Sequence, residues 1–365
     1  MKLTRILYLV DDIYSAYGGT EQHLLWLLRR IPDDEFEKHF IIFSTIHHPE
    51  TFHPQIEPLV LGRKFGLGMV SWLRRFYFLV RYIREHEIEL LQAFSASGEF
   101  AAVLAAKLAG KGTIVIGNRR DCGYDRRFKY RWIFWLTKKF GVKYIANSEA
   151  ARQAAFNNDK TPLKSITVIR NPIAFDRIQV GLSESLGCDE LPFIGEERSG
   201  KIVGMVATIR PIKDYTTLIR AAKFVLEKFP DTWFLFVGDA DVVHKNALIQ
   251  IAEQEKISER IIWANGINNP LKVVKLFDVA VLSSHSESFS NAVLEYAAAA
   301  RPIVISDVGG LSEIIQDGES GFVVPPQNPI AMAEKIIQLL ENNKLAQQLG
   351  QNAKEITFQN YNEQK

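Results

Sequence analysis

The sequence predicts an α/β protein built from two tandem, doubly wound domains of the Rossmann type. Its 365 residues correspond to about two domains, at roughly 100–200 residues per domain. Short apolar, β-branched runs alternate with helical patterns along the chain, which is typical of parallel sheets with helices on both faces. The alternation breaks once, so we predict a domain at 1–175, a linker at 176–199 and a domain at 200–365.

The apolar runs of the first half predict strands, and the segments between them predict helices. The predicted strands are 6–10, 40–43, 89–93, 113–117, 144–147 and 166–170, and the predicted helices are 21–30, 72–84, 99–109 and 131–140. The linker is predicted because 176–200 is rich in glycine and acidic residues and contains Pro192, a composition that interrupts regular structure.

The second half repeats the pattern. Its predicted strands are 201–208, 233–238, 261–263, 279–283, 303–306 and 322–324, and its predicted helices are 216–228, 243–255, 270–276, 291–299, 311–316 and 329–342. Doubly wound sheets bind ligands beyond the carboxyl ends of their strands. We therefore expect the site in a cleft between the two domains.

The composition excludes several classes of protein. The chain has 44 Lys and Arg against 42 Asp and Glu, a net charge of +2, and 47% of its residues are hydrophobic; a disordered, collagen-like or strongly cationic chain would differ. Two cysteines give no disulfide framework and favour a reducing compartment. The apolar start, 1–10, is short and precedes Asp11 and Asp12, so we interpret it as a buried strand and not as a signal peptide.

The chain contains a basic region although its net charge is close to zero. Residues 63–143 hold 17 Lys and Arg against 6 Asp and Glu, and 74–78 and 119–132 mix these cations with aromatic side chains. The simpler interpretation is a solvated basic surface over an aromatic core. We slightly prefer an inner-leaflet surface for a polyprenyl-diphosphate-linked acceptor, while a polyanionic acceptor or single-stranded nucleic acid would also suit such residues.

The most informative segment runs from Ser283 to Gly310. A predicted strand ends at Ser283, a polar loop carries Glu287, and a predicted helix carries Glu295. Ser288 and Ser290 are both suitable N-caps, and the N–H groups of the first helical turn form an anion site. A diphosphate could bind there with a carboxylate on each side to accept hydrogen bonds from hydroxyl groups.

Glu287 and Glu295, in the pattern E-x7-E, resemble the signature of retaining GT-B glycosyltransferases, especially glycosyltransferase family 4. The resemblance extends over most of the chain and is carried by motifs in order: Gly18-Gly19-Thr20-Glu21, Asn147-Ser148-Glu149, Asn171-Pro172, Lys213-Asp214, Gly238-Asp239, Gly309-Gly310 with Glu313, and Pro325-Pro326. Each motif is weak alone.

The resemblance implies roles for these residues. Glu287 would hydrogen-bond hydroxyls of the donor sugar, and Glu295 would hold the ribose hydroxyls of the nucleotide. Backbone N–H groups at the helix start would cradle the diphosphate, namely those of Ser290, Asn291 and Ala292. Asp239 and the loop around Ile267 occupy the places that hold the base in this family.

Positive charge for the leaving diphosphate would come from Lys213 and Arg210. Lys213 matches the family pattern, but Thr208 stands where an Arg is usual, so Arg210 is the substitute. Gln92 replaces a His found in many members, and we interpret it as a variant, because a front-face retaining mechanism needs no enzyme base. Gly18 and Gly19 would let a ligand or the facing domain approach closely, and they do not form a dinucleotide fingerprint.

A metal site is not predicted. The chain has no D-x-D pattern, and His47, His48, His53 and His285 are interpreted as exposed or structural. We therefore expect metal-independent transfer that uses no cofactor, the nucleotide sugar being a substrate.

The sequence thus predicts a cytoplasmic hexosyltransferase, either free in the cytoplasm or peripheral on the inner face of the plasma membrane. It would move a sugar from a UDP- or GDP-sugar to a glycan or polyprenyl-diphosphate-linked acceptor in cell-surface polysaccharide biosynthesis, without nucleic acid as a partner. The alternative is a catalytically silent GT-B-fold protein that acts as a nucleotide-sugar-binding or regulatory subunit. An epimerase or phosphorylase is less favoured. Members of the family that this chain resembles usually end in a helix that crosses back onto the first domain. We expect this helix to be shortened or absent here.

Overall fold

The computed structural model describes residues 3–13, 18–48, 52–66, 68–123, 135, 137, 139–173, 175–184, 200–267 and 269–361, with no account of the side chains at 175–177. The chain forms two compact units, Met1–Ile169 and Arg170–Lys365. The boundary between the two units thus lies slightly before residue 175, the predicted end of the first domain. The basic, aromatic residues 124–132, most of the predicted helix 131–140 and most of the predicted linker lie outside the described residues.

The N-terminal unit is built on a parallel sheet of seven strands in the order β3-β2-β1-β4-β5-β6-β7. The strands are β1 (Thr4–Val10), β2 (Phe36–Ile42), β3 (Leu59–Val60), β4 (Leu90–Ala93), β5 (Ile114–Arg119), β6 (Lys143–Ala146) and β7 (Ile166–Val168). The helices are α1 (Gly19–Arg30), α2 (Leu61–Phe65), α3 (Met69–Glu85), α4 (Ala96–Ala109) and α5 (Glu149–Asp159). Sequence analysis missed the short β3 and α2 and the polar helix α5.

The C-terminal unit contains a parallel sheet of six strands in the order β10-β9-β8-β11-β12-β13. These are β8 (Ile202–Val206), β9 (Trp233–Val237), β10 (Ile261–Ala264), β11 (Val279–Leu282), β12 (Ile303–Ser306) and β13 (Phe322–Val324). Its helices are α6 (Phe175–Ser183), α7 (Tyr215–Lys228), α8 (Val242–Gln254), α9 (Leu271–Val274), α10 (Asn291–Ala298), α11 (Pro329–Glu341) and α12 (Asn343–Asn360). The two sheets confirm the predicted fold class of two doubly wound α/β domains.

Both sheets reverse their strand order beside the first strand of the unit. In the C-terminal unit β8 lies between β9 and β11, and all four residues of β11 are buried. A chain that winds outwards in both directions from one strand leaves a crevice at the carboxyl ends of the two strands where the order reverses. Here those strands are β8 and β11.

Three segments of the C-terminal unit differ from the sequence predictions. Residues 176–183, assigned to the linker, belong to helix α6. Gly181 lets this helix pack closely on α9, since a Cβ there would lie 2.7 Å from Cβ of Leu271. The predicted helix 311–316 is only a 3-10 turn, Leu311–Glu313, since Ser320 Oγ accepts the N–H of Gln316 at 2.9 Å. Helix α12 continues to Asn360, well beyond the expected end of helical structure.

A buried ion pair lies within the core of the N-terminal unit. Arg119 Nη1 donates to Glu99 Oε2 at 2.7 Å, and both side chains are at most 2% exposed. Tyr144 Oη also donates to Glu99, at 3.3 Å, and the Arg119 guanidinium lies 4.1 Å from the Tyr144 ring centroid. The pair joins α4 to the end of β5, so it fixes the helix against the sheet.

We predict that Glu99→Gln destabilises the N-terminal unit by about 3 kcal/mol, because it removes the closer of the two carboxylates that neutralise the buried Arg119 cation and leaves only Asp159, whose Oδ2 lies 3.8 Å from Arg119 Nε. The measurement is urea denaturation of the full chain, followed through the transition of that unit. The exposed Glu89 provides the control, and Glu89→Gln should change the midpoint very little. Equal effects of the two substitutions would contradict the assigned pair.

Candidate active site at the carboxyl edge of the C-terminal sheet

The loop after β8 positions Lys213 at the crevice. The chain leaves the strand, forms a 3-10 turn over Pro211–Lys213 and enters α7. Asp214 adopts a left-handed conformation, φ 46°, and caps α7 by accepting the N–H of Thr217 at 3.3 Å and its hydroxyl at 2.6 Å. These local bonds hold the backbone of Lys213 in place.

The loop after β11 lies against this turn. Ser283 and Ser284 are fully buried. Ser283 Oγ donates to the carbonyl of Asp214 at 3.0 Å, and the N–H of His285 donates to the carbonyl of Ile212 at 2.8 Å. Since β8 and β11 are parallel neighbours, their carboxyl ends meet, and these bonds join the two loops into one rigid edge.

Lys213 and Glu287 form an ion pair on this edge, between Nζ and Oε1. Their side chains are 21% and 11% exposed. Ser284 Oγ also donates to Glu287 Oε1, at 2.8 Å, and the N–H of Gly310 donates to the Glu287 carbonyl at 3.1 Å. The loops after β8, β11 and β12 therefore converge on one lysine–carboxylate pair that solvent still reaches.

Helix α10 begins next to this pair in the sequence. Ser290 is its N-cap, and its hydroxyl accepts the N–H of Val293 at 3.3 Å, as the sequence suggested. The N–H groups of Asn291 and Ala292 stand at the positive end of the helix, where an α-helix provides no acceptor of its own. Glu295 lies one turn after Asn291, so both share a face, and Glu295 is half-buried.

Tyr296 fixes α10 to the sheet. Its ring is fully buried, and its hydroxyl accepts the N–H of Val206, at the end of β8, at 2.6 Å. Burial raises the pKa of Tyr296, so the phenol is neutral and keeps its proton. The start of α10 is thereby held near the end of β8 by a buried side chain that sequence reasoning missed.

The predicted base-binding residues follow β9 and β10. Asp239 Oδ1 accepts the N–H of Gly266 at 3.1 Å, and its carbonyl accepts the N–H of Ile209 at 2.8 Å. Ile267 is buried, 8% exposed. Asp239 therefore connects the loop after β10 to the loop after β8, and the neighbouring Asn268 lies outside the described residues.

Three further predicted residues take no part in the Lys213–Glu287 ion pair itself. Arg210 is exposed at the start of the 3-10 turn, and it forms no salt bridge within the described part of the chain. Gly18 and Gly19 belong to the N-terminal unit, at the start of α1. A Cβ at Gly18 would lie 2.1 Å from a carboxylate oxygen of Glu21, so the absent side chain makes room for that carboxylate.

Sequence reasoning missed Asp214 and Ser283 as structural residues of the site. An aspartate just before a helical pattern is an N-cap signal, which could have identified Asp214. No comparable signal exists for Ser283, since its role depends on the adjacency of β8 and β11. Among the described residues, no group of three or more His, Cys, Asp or Glu is placed to hold a metal ion.

Two family models match consecutive parts of the chain. The model described as Glycosyltransferase Family 4 matches residues 17–177, and the model described as Glycosyl transferases group 1 matches residues 189–356. The second matched segment contains the Lys213–Glu287 pair and the start of α10.

Individual proteins agree with these matches. An uncharacterized glycosyltransferase of Methanocaldococcus jannaschii is 25% identical over 354 residues, which is 96% of this chain and 92% of the other. A poly(ribitol-phosphate) α-N-acetylglucosaminyltransferase of Staphylococcus aureus is 28% identical over 162 residues, 44% of this chain and 32% of the other. The structure of Anabaena HepE in complex with UDP and glucose has the same fold, with a TM-score of 0.78 at 19% identity over 98% of this chain and 96% of HepE.

The Lys213–Glu287 pair can be tested without any ligand. We predict a coupling free energy of about 1 kcal/mol between Lys213→Met and Glu287→Gln in a double-mutant cycle of urea denaturation. The exposed pair Lys223–Glu255, 47% and 24% exposed, is the control, and its coupling should stay below about 0.5 kcal/mol. No coupling between Lys213 and Glu287 would show that the pair does not form in solution.

Proposed function

Because the chain is a GT-B glycosyltransferase that resembles glycosyltransferase family 4, we propose that it is a retaining enzyme that uses a nucleotide-diphosphate sugar. The donor is a UDP- or GDP-sugar, and the acceptor is a glycan or lipid-linked sugar of cell-surface polysaccharide. The observation that carries the proposal is the Lys213–Glu287 pair at the strand-order reversal, adjacent in sequence to the capped start of α10.

The reaction breaks the bond between the anomeric carbon of the sugar and the β-phosphate oxygen. Negative charge then develops on the leaving diphosphate. In our proposal Lys213 and the N–H groups of Ser290, Asn291 and Ala292 stabilise this charge. The acceptor hydroxyl attacks from the side that the diphosphate leaves, and its proton passes to the leaving phosphate oxygen, so the anomeric configuration is retained without an enzyme base.

The two glutamates of the E-x7-E pattern have separate roles in this proposal. Glu287, fixed by Ser284, accepts hydrogen bonds from donor-sugar hydroxyls, while Glu295 accepts those from the ribose. Without a ligand, Glu287 neutralises Lys213; with donor bound, the same lysine faces the diphosphate. Asp239 and Ile267 support the base, and Arg210 adds a second positive charge from the rim of the site.

We also propose roles for the N-terminal unit and for the acceptor. Gly18 and Gly19 stay predicted donor-binding residues of the N-terminal unit. Transfer is proposed to require neither metal nor cofactor. The acceptor is proposed to be a glycan or a polyprenyl-diphosphate-linked sugar used by a cytoplasmic enzyme at the inner face of the membrane, which the basic composition of 63–143 supports. Within the described residues, no helix is both long and apolar enough to span a bilayer.

We predict that Glu287→Ala and Lys213→Ala each lower kcat by about 100-fold or more, because each removes a charged group that acts on the reacting sugar phosphate. The measurement is release of nucleoside diphosphate from a panel of UDP- and GDP-sugars, with EDTA added in a parallel series. EDTA should leave the rate unchanged.

The control for this assay is Lys201→Ala, which removes an exposed lysine before β8. It should retain wild-type turnover. Full activity in both site variants would refute the assignment. Stabilisation of the wild type by a nucleotide without any turnover would instead favour the silent binding subunit, for which Thr208 and Gln92 are the best sequence evidence; Gln92 is buried and donates to Asn118 Oδ1 at 3.3 Å.

Glu295 should behave differently from Glu287. We predict that Glu295→Ala raises KM for the donor about ten-fold or more with a smaller change in kcat, since the ribose is remote from the broken bond and its hydrogen bonds are equally strong before and during reaction. Steady-state kinetics with varied donor concentration measure the two constants. A fall in kcat at unchanged KM would contradict the ribose assignment.

A further inference from the structure

Helix α3 of the N-terminal unit presents an apolar stripe to solvent. Met69, Val70, Leu73 and Tyr77 are 85%, 67%, 58% and 65% exposed. Met69, Leu73 and Tyr77 follow each other at intervals of four, so they lie on one face of the helix. The opposite face is ordinary core, where Leu79 and Ile83 are fully buried.

The sequence around this stripe is rich in positive charge. The sequence from Pro58 to Arg84 contains six Lys and Arg and no Asp or Glu. Arg63, Lys64 and Arg74 are exposed, and in the described part of the chain none of them forms a salt bridge. Other cations here have structural partners; Arg75 is buried and donates to the carbonyl of Phe43 at 2.9 Å.

The combination of exposed apolar side chains and exposed cations distinguishes between possible partners for this face of α3. Exposed apolar side chains favour removal from water, and a face with this much positive charge would repel a second copy of itself. An anionic lipid surface suits both the apolar stripe and the positive charge. Apolar side chains enter the boundary between headgroups and acyl chains, while lysine and arginine remain at the phosphates.

We propose that the α3 surface, defined as Arg63, Lys64, Met69, Val70, Leu73, Arg74 and Tyr77, docks the protein on anionic lipid bilayers. The inference rests on the proposed action at a membrane surface and names the surface that provides it. Binding to lipid requires no turnover, so its failure can be distinguished from failure of the proposed sugar transfer.

The experiment is co-sedimentation of the full chain with vesicles of phosphatidylcholine alone or with about one third phosphatidylglycerol. We expect binding to the anionic vesicles only, and weaker binding as salt is raised. Binding that ignores lipid charge and salt, or no binding to either vesicle, would overturn the proposal.

Two sets of variants test the surface itself. Met69→Gln, Leu73→Gln and Tyr77→Gln together should weaken binding about ten-fold or more, and Arg63→Gln, Lys64→Gln and Arg74→Gln together should weaken it about five-fold per charge and reduce its salt dependence. Since all six side chains are exposed, neither set should lower the unfolding midpoint.

The matched control is Val242→Gln, Val243→Gln and Ile330→Gln, which removes three apolar side chains that are 70%, 78% and 56% exposed in the C-terminal unit. It should bind vesicles like the wild type. Equal losses in the control and in the α3 variants would overturn the proposal. So would a concentration-dependent dimer that the α3 variants abolish, because the face would then be an interface between copies.

Discussion

The site depends on one constraint of the parallel sheet, namely that the carboxyl ends of adjacent strands share an edge. In the C-terminal unit the strand order reverses between β8 and β11, and the loops that follow these strands carry Lys213 and Glu287. The residues are far apart in sequence, and only this adjacency brings them into contact. Ser283, Ser284 and the capped turn at Asp214 then fix the two loops relative to each other.

The order of the strands and helices and the helix start at the candidate site could be predicted from sequence because both depend on local signals. Buried parallel strands are continuous apolar runs, so the order of strands and helices was correct over most of the chain. Ser290 was one of two N-cap candidates, with Ser288, because an N-cap is a local pattern, and the structure selects Ser290. The segment 176–183 was misassigned because Gly181 was interpreted as a break, whereas it is the point where α6 meets Leu271. A single sequence does not distinguish these two uses of glycine.

Residues that act across the sheet were not predictable in the same way. Tyr296 looks like an ordinary apolar helix residue in the sequence, yet it binds Val206 on a different element. The charge distribution gives a second example. Composition identified a basic region at 63–143, but only the structure separates the exposed Arg74 from the buried Arg75 and shows that Met69, Leu73 and Tyr77 remain in water. Neighbouring residues with the same chemistry therefore have different roles.

The central claim is a division of labour between the two members of the ion pair, in which Lys213 serves the diphosphate and Glu287 serves the sugar. Isothermal titration with a nucleoside diphosphate and with the corresponding nucleotide sugar tests it most directly. We expect Lys213→Ala to weaken binding of both ligands, whereas Glu287→Ala should weaken binding of the nucleotide sugar about ten-fold and leave binding of the free nucleotide no weaker. Equal losses for both ligands in the Glu287 variant would contradict it.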